Sequence, residues 1–267
     1  IAEGRLKDDT PVQVSENAAG TGGTQAFLDG GQSYTLEQLL EGMCIASAND
    51  AAVALAEASY GSEDAFVEQM NKRAQELGCE NTLFENCSGI YTEGAYSTPR
   101  DMAKIATELT KHKRIADYTS IFMGKTIHPD GRETELNNSN RMVRFYEGAD
   151  GYATGSSPES KYSGVITARR GDMRLICVVM GAPASTARFA DAQQMLDYGF
   201  ANYTSRVVVK QGEILRKKVP VAKGTPREID VEVFDELRVL IRKGDEKLIR
   251  KELEMAEEIA PPITQGA

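Results

Sequence analysis

Ser47, Asn49, Thr154 and Gly155 are the residues whose types and order suit chemistry on a small polar ligand. Ser47-Ala48-Asn49-Asp50 is a polar knot between an amphipathic run and an alanine-rich run. A hydroxyl and a carboxamide two positions apart, held between two packed helices, are rigidly placed for bonding or proton relay. The second stretch, Asp150-Gly151-Tyr152-Ala153-Thr154-Gly155, stands directly before the strand-like run SGVITARR. Each stretch alone is ordinary. Ser and Asn before a helix usually cap it, and Thr-Gly is usually a turn. Order and setting give the pair its weight.

The elements around the knot are legible. Leu36, Leu39, Leu40, Met43 and Cys44 fall at i, i+3, i+4, i+7 and i+8, one helical stripe. Ala51 to Ala58 is strong helix-forming sequence, with Val53 and Leu55 to pack and Asn49 or Asp50 as its expected cap. Upstream, VQVSENAAG reads as a short strand and exit, and the Gly- and Thr-rich stretch Gly20 to Gly31 as a surface loop. Ser62 is expected to cap a third helix with a buried stripe of Phe66, Val67, Met70, Ala74 and Leu77. Thr98-Pro99-Arg100-Asp101 opens a fourth, with Asp101 reaching back as in a capping box and Met102, Ile105, Ala106 and Leu109 inward.

Hairpins follow. Ile121 to His128 and Glu133 to Leu136 flank Pro129-Asp130-Gly131, and SGVITARR and MRLICVVMG flank Gly171-Asp172. MRLICVVMG is apolar on both faces, which predicts a central strand. Arg170-Gly171-Asp172 spells an adhesion tripeptide, but a tight turn explains it more simply. Ser185 is expected to cap a helix with Phe189, Ala192, Leu196 and Phe200 on one face. After Tyr203, VVVK, EILRKKVPV, REIDVEVF and LRVLIRK predict a small all-β module, followed by a helical EKLIRKELEMAEE with a solvated charged face.

The 267 residues, 41% hydrophobic, suffice for one large domain with or without a small one. A net charge of −9 lacks the basic footprint of a nucleic-acid binder. No apolar run is long enough to span a bilayer. The chain opens with Ile1, and IAEGRLKDD reads as a helix tail, so it is expected to begin inside a longer gene product with targeting signals removed. It stops at APPITQGA without an obvious strand partner, so the β-module is expected to be incomplete. Cys44, Cys79, Cys87 and Cys177 show no C-x-x-C spacing and lie away from His112 and His128, which argues against zinc. Cys44 and Cys177 read as small core residues. Cys79 and Cys87 are able to bridge in an oxidising compartment, and sequence does not decide it.

The order S-x-N then T-G, the second beside a strand, is that of serine-acylating penicillin-interactive enzymes, whose motifs run S-x-x-K, S-x-N, K-T-G. The chain resembles the serine-type D-alanyl-D-alanine carboxypeptidases, the low-molecular-mass penicillin-binding proteins. The resemblance covers YTLEQLLEGMCIASANDAAVALAE, FVEQMNKRAQELGCENTLFENCSGI, YSTPRDMAKIA, the pair Asn138 and Asn140, and RLICVVMGAP. It implies an α+β fold: a β-lactamase/transpeptidase-like domain over 1–203, with an antiparallel sheet and helices on both faces, then a small β-rich domain over 204–267. It also implies acyl transfer, in which a serine attacks the penultimate D-alanine carbonyl of a peptidoglycan stem peptide and water releases the acyl-enzyme. In that scheme Ser47 relays protons or bonds the active-site lysine, and Asn49 orients the substrate amide. Thr154 and Gly155 match T-G, with Thr154 on the terminal carboxylate and the strand docking the peptide. The family implies no metal or organic cofactor. It implies β-lactams as ligands where the nucleophile is present, an extracytoplasmic site of action, and peripheral membrane attachment through a segment outside this chain.

Three departures stand against catalysis by these residues. S-x-x-K is absent: Ser15 is followed three residues on by Ala18, and Ser33 by Leu36. The family places that motif just upstream of the position matching Ile1. The K-T-G lysine is Ala153. Losing that cation is expected to cost roughly a few kcal/mol of transition-state stabilisation unless Lys161 or Arg188 replaces it. Ala95 stands where the family often has His. The expectation is an enzyme-family chain that is inactive as it stands, with a peptidoglycan-binding pseudoenzyme as the alternative.

Overall fold

A computed structural model describes residues 6–255 and 259. IAEGR, expected as a helix tail, and APPITQGA, expected as the unpartnered end of the β-module, lie outside the described residues. The chain forms two compact units, 1–197 and 198–267.

The first unit opens with strand β1 (Pro11–Gln13), the single turn α1 (Glu16–Ala19) and strand β2 (Ser33–Thr35), which pairs antiparallel with β1. ENAA of VQVSENAAG is therefore helical, because the Ser15 hydroxyl accepts the Ala18 N–H. Helices α2 (Leu36–Ala46) and α3 (Asn49–Tyr60) follow. Leu36, Leu39 and Ile45 of α2 and Val53 and Leu55 of α3 are buried in one core with Val12, Val14 and Leu136. Gly42 lets the two helices approach: a Cβ there would lie 3.3 Å from that of Ala51.

Helix α4 (Glu63–Glu76) is capped by Ser62 as expected, but only Ala74 of its stripe is buried and the rest is half-buried. Helix α5 (Pro99–Leu109) has Thr98 as N-cap and Pro99 in its first turn. Asp101 does not reach back. Its carboxylate accepts the Asn81 N–H and the Thr82 hydroxyl, tying down the loop before the helix. Helix α6 (Arg114–Thr119) leads into the hairpin β3 (Met123–Ile127) and β4 (Glu133–Asn137), then the short α7 (Met142–Phe145).

Strands β5 (Ala149–Ser157), β6 (Lys161–Arg170) and β7 (Met173–Ala182) form an antiparallel sheet in the order β5-β6-β7. The expectation that MRLICVVMG is central is corrected here. Among the described residues β6 is central and β7 is an edge, and packing of α5 against β7 accounts for apolar residues that strand pairing does not. Arg170-Gly171-Asp172 is the turn between β6 and β7. Helix α8 (Ser185–Asn202) has Ser185 as its first residue, with the Ala184 carbonyl accepting the Arg188 N–H before it. Ala192 and Leu196 are buried on it.

The second unit pairs β8 (Tyr203–Val209) with β11 (Leu237–Arg242), and β9 (Ile214–Pro220) with β10 (Glu228–Glu232). The four β-type runs after Tyr203 are thus strands. Among the described residues of EKLIRKELEMAEE the expected helix is not formed: a 3₁₀ turn, Glu246–Leu248, is followed by irregular chain to residue 255. Leu248 and Leu253 are exposed there, so little packing offsets the entropy of helix ordering.

Candidate functional site

Ser47 lies in the break between α2 and α3 with φ 57° and ψ 41°. A non-glycine residue in that left-handed region is uncommon and costs on the order of 1–2 kcal/mol. The cost is met locally, because the Ala48 N–H bonds back to the Gly42 carbonyl, 3.2 Å, and closes the end of α2. The turn throws the Ser47 side chain out of the helix pair.

Neither Asn49 nor Asp50 caps α3. Ala48 is the cap residue, and both polar side chains turn to the glycine-rich segment instead. The Asn49 Nδ2 donates to the Gly22 carbonyl, 2.8 Å, and its backbone N–H to the Thr24 carbonyl, 2.8 Å. Asp50 is 0% exposed, and its two carboxylate oxygens accept the N–H groups of Ala26 and Leu28, each 3.0 Å, and of Ala51, 2.9 Å. Residues 20–31 are therefore not a loose surface loop: Ala26 and Leu28 are buried, and the polar knot straps the segment down.

Opposite stands β5. Its first residues are held by buried groups from two other segments. The Thr119 hydroxyl donates to the Asp150 carbonyl, 2.6 Å, and the Asn140 Nδ2 to the Gly151 carbonyl, 3.0 Å. Gly151 has φ 153°, and a Cβ there would lie 2.6 Å from the Thr119 Oγ1, so the strand enters past Thr119 only with glycine. A two-pronged ion pair from Arg174 to the Asp150 carboxylate, 2.7 and 2.5 Å, fixes the same end. Asn138 donates to the carbonyls of Thr119 and Ile121, 3.0 and 2.9 Å, and accepts the Asn140 N–H, 2.9 Å.

The two walls meet through Ser139. Thr154 Oγ1 donates to Ser139 Oγ, 2.9 Å, and Ser47 Oγ lies 3.3 Å from the same oxygen. Ser47 and Thr154 thus share Ser139 as a hydrogen-bonding partner. Asn49 follows Ser47 by two residues on that wall, and Gly155 follows Thr154 on β5, exposed and with nothing within 4 Å of a built Cβ. Sequence reading missed Ser139. The signal was its place between two asparagines whose side chains are buried, which leaves the middle residue facing out.

The two candidate replacements for the lysine lie differently. Lys161 pairs with Ser157, while Ala153 pairs with Val165. Four residues along a strand separate those pairs by about 13 Å. Arg188 is buried under the sheet's carbonyls: its Nη1 donates to Gly155 and Ser163, 3.1 and 2.8 Å, and its Nη2 to the Ser185 hydroxyl, 3.4 Å. Burial pushes its pKa down. Its Nη groups are committed to structure, and Ala153 itself is exposed.

The four cysteines are free thiols. Cys79 sits beside the Asp101 carbonyl, and Cys87 donates its N–H to Glu63, with burial and that carboxylate raising its pKa to about 12.

Comparison with known proteins follows from this geometry. A family model described as D-alanyl-D-alanine carboxypeptidase matches residues 1–184, and one described as the penicillin-binding protein 5 C-terminal domain matches residues 203–267. The D-alanyl-D-alanine carboxypeptidase DacF of Bacillus subtilis is 39% identical over the whole of this chain and 68% of its own length. Penicillin-binding protein 5 of Haemophilus influenzae has a similar solved structure, with TM-score 0.83 and 27% identity over 100% of this chain and 78% of that one. The Streptomyces K15 DD-transpeptidase gives TM-score 0.69 and 33% identity over 75% of this chain and 82% of that one. The α+β architecture with a small β-rich C-terminal part is that of the Haemophilus influenzae protein, whose match covers the whole chain.

Proposed function

The chain belongs to the D-alanyl-D-alanine carboxypeptidase family, a family of hydrolases, and from that premise we propose that its groove grips the D-alanyl-D-alanine end of a peptidoglycan stem peptide. The observation that carries this reading is the meeting of Ser47 and Thr154 across Ser139. The peptide adds its backbone along the open edge of β5, which has a strand partner on one side only among the described residues. Thr154 receives the terminal carboxylate, and Gly155, without a side chain, lets the peptide backbone come close. Asn49 has its Nδ2 bonded to the Gly22 carbonyl, and its Oδ1 is the group assigned to accept the substrate amide N–H. Ser47 is the proton-relay hydroxyl nearest the reacting bond. In this reading the penicillin-binding domain runs over 1–203 and the β-rich domain over 204–267.

The acyl-enzyme step needs a serine activated by a lysine, and no serine among the 267 residues has lysine three positions on. We infer that these residues bind the stem peptide and do not by themselves acylate. Incubation of the 267-residue polypeptide with fluorescent penicillin tests this directly. The expected result is no covalent label, and stoichiometric labelling would overturn it. An upstream coding sequence that contains Ser-x-x-Lys supports the acyl-transfer enzyme, with β-lactams as covalent ligands. Its absence supports a peptidoglycan-binding pseudoenzyme, the reading that Ala153 favours. On the same premise we propose an extracytoplasmic site of action, with peripheral membrane attachment through a segment outside residues 1–267. No helix among the described residues is long and apolar enough to cross a membrane.

A further inference from the structure

We propose that Ser139 is a positioning and specificity residue, the middle hydroxyl of a Ser47–Ser139–Thr154 chain that stands in the groove where a lysine cation is missing. The inference rests on the reading of the groove as the stem-peptide site.

Three observations carry it. Ser139 touches both walls, at 3.3 Å from Ser47 and 2.9 Å from Thr154. It is held on a rigid perch: the neighbours Asn138 and Asn140 are buried and their carboxamides are tied to main-chain groups of Thr119, Ile121, Gly151 and Met142. Among the described residues the place of the family's lysine holds no lysine: position 153 is alanine, Lys161 lies down the hairpin, and Arg188 lies under β5 with its Nη1 on the Gly155 carbonyl.

Proton counting then gives the chain a direction. Each hydroxyl has one proton to donate and two lone pairs to accept with. Thr154 donates to Ser139. With Ser139 donating to Ser47, the proton left over is on Ser47 and points into the groove. A carboxylate docked at Thr154 reverses all three rotors. Thr154 donates to the carboxylate, Ser139 to Thr154, and Ser47 to Ser139, which leaves a Ser47 lone pair toward the reacting amide. The reversal needs the Ser139 side chain to turn as well as the hydroxyl protons, since Thr154 is the donor in the unliganded arrangement, and no covalent bond is made or broken. Ser139 thereby transmits the presence of a carboxylate at one wall to the proton position at the other, and aligned hydroxyls polarise one another.

The test uses the 267-residue chain and two probes, a diacetylated lysyl-D-alanyl-D-alanine and the same peptide with a C-terminal carboxamide. Affinities are measured by calorimetry. The wild-type chain is expected to prefer the carboxylate. S139A is expected to reduce that preference about fivefold, the worth of one net hydrogen bond, with an unchanged melting temperature. S139T, which keeps the hydroxyl, is expected to restore it. An S139A preference equal to wild type, or a loss shared equally by both peptides, overturns the inference and leaves the groove assignment standing. Wild-type binding of neither peptide overturns the groove assignment and this inference with it.

Discussion

The two walls of the groove are built from different chemistry. The helix wall is set by a strained backbone turn at Ser47 and by a charged group, the Asp50 carboxylate, which takes three N–H donors. The strand wall is set mainly by neutral carboxamides, Asn138 and Asn140, that bond carbonyls and N–H groups of other segments. Both place a hydroxyl on a buried, hydrogen-bonded support. The difference lies in what happens when a support is removed. Loss of the carboxylate strands three buried donors at once, whereas loss of the Asn140 amide strands one carbonyl and one N–H.

The comparison predicts an order of effects. Asp50→Ala is expected to be the most damaging change, about 4 kcal/mol by urea unfolding, since each buried donor left without a partner costs about 1–3 kcal/mol. It also frees residues 22–28 to exchange their amide protons. Asn140→Ala is expected to cost about 2 kcal/mol, through the Gly151 carbonyl and the Met142 N–H, 3.2 Å from its Oδ1. Equal losses from the two variants would remove the distinction drawn here between the walls.

Ala153→Lys leaves both supports untouched. The position is exposed and adjoins Thr154, so a lysine there adds a cation at the carboxylate end of the groove. Binding of the carboxylate peptide is expected to strengthen about fivefold at low salt, with most of the gain lost near 1 M salt, where screening is nearly complete within about 3 Å. In a longer product that carries Ser-x-x-Lys, the same change is expected to speed acylation by penicillin. An unchanged rate would mean that a cation reaches the site from another residue.

Much of this was open to reading in the sequence, for physical reasons that differ by residue. The stripe of Leu36, Leu39 and Cys44 and the alanine run after Asp50 announced two buried helices, because periodicity alone reports which face is covered. The hairpins at Gly131 and Gly171 followed from turn chemistry. What escaped was contact between distant segments. Nothing local says that Asp50 faces Ala26 and Leu28 instead of capping its own helix, or that Asp101 turns to Asn81. Ser139 escaped for the same reason, since its meaning lies in the two hydroxyls that folding brings to it. The apolar β7 run misled because helix packing and strand pairing bury side chains alike.

The smallest effect concerns pH, and it acts on the helix wall alone. His128 is buried beside the Tyr34 hydroxyl, 2.8 Å from its Nδ1, with Thr134 Oγ1 2.8 Å from its Nε2. Arg132, which donates to the Phe27 carbonyl and the Asp29 carboxylate, ties this cluster to the strapped segment. Burial first, and then the Arg132 charge, hold the imidazole pKa below its ordinary value, against the opposing pull of Asp29, Asp130 and Asp50. The unfolded chain therefore binds a proton near pH 6.5 that the folded chain takes up only at lower pH. Across that window the unfolded state holds more protons, so stability falls as pH drops below about 6.5 and levels off below the folded value. Urea unfolding from pH 7.5 down to 5 is expected to show this slope in the wild type and a shallower one in His128→Gln. Parallel slopes would mean that the fold does not resist protonation of His128, and that the far end of the strap is not held by a neutral imidazole.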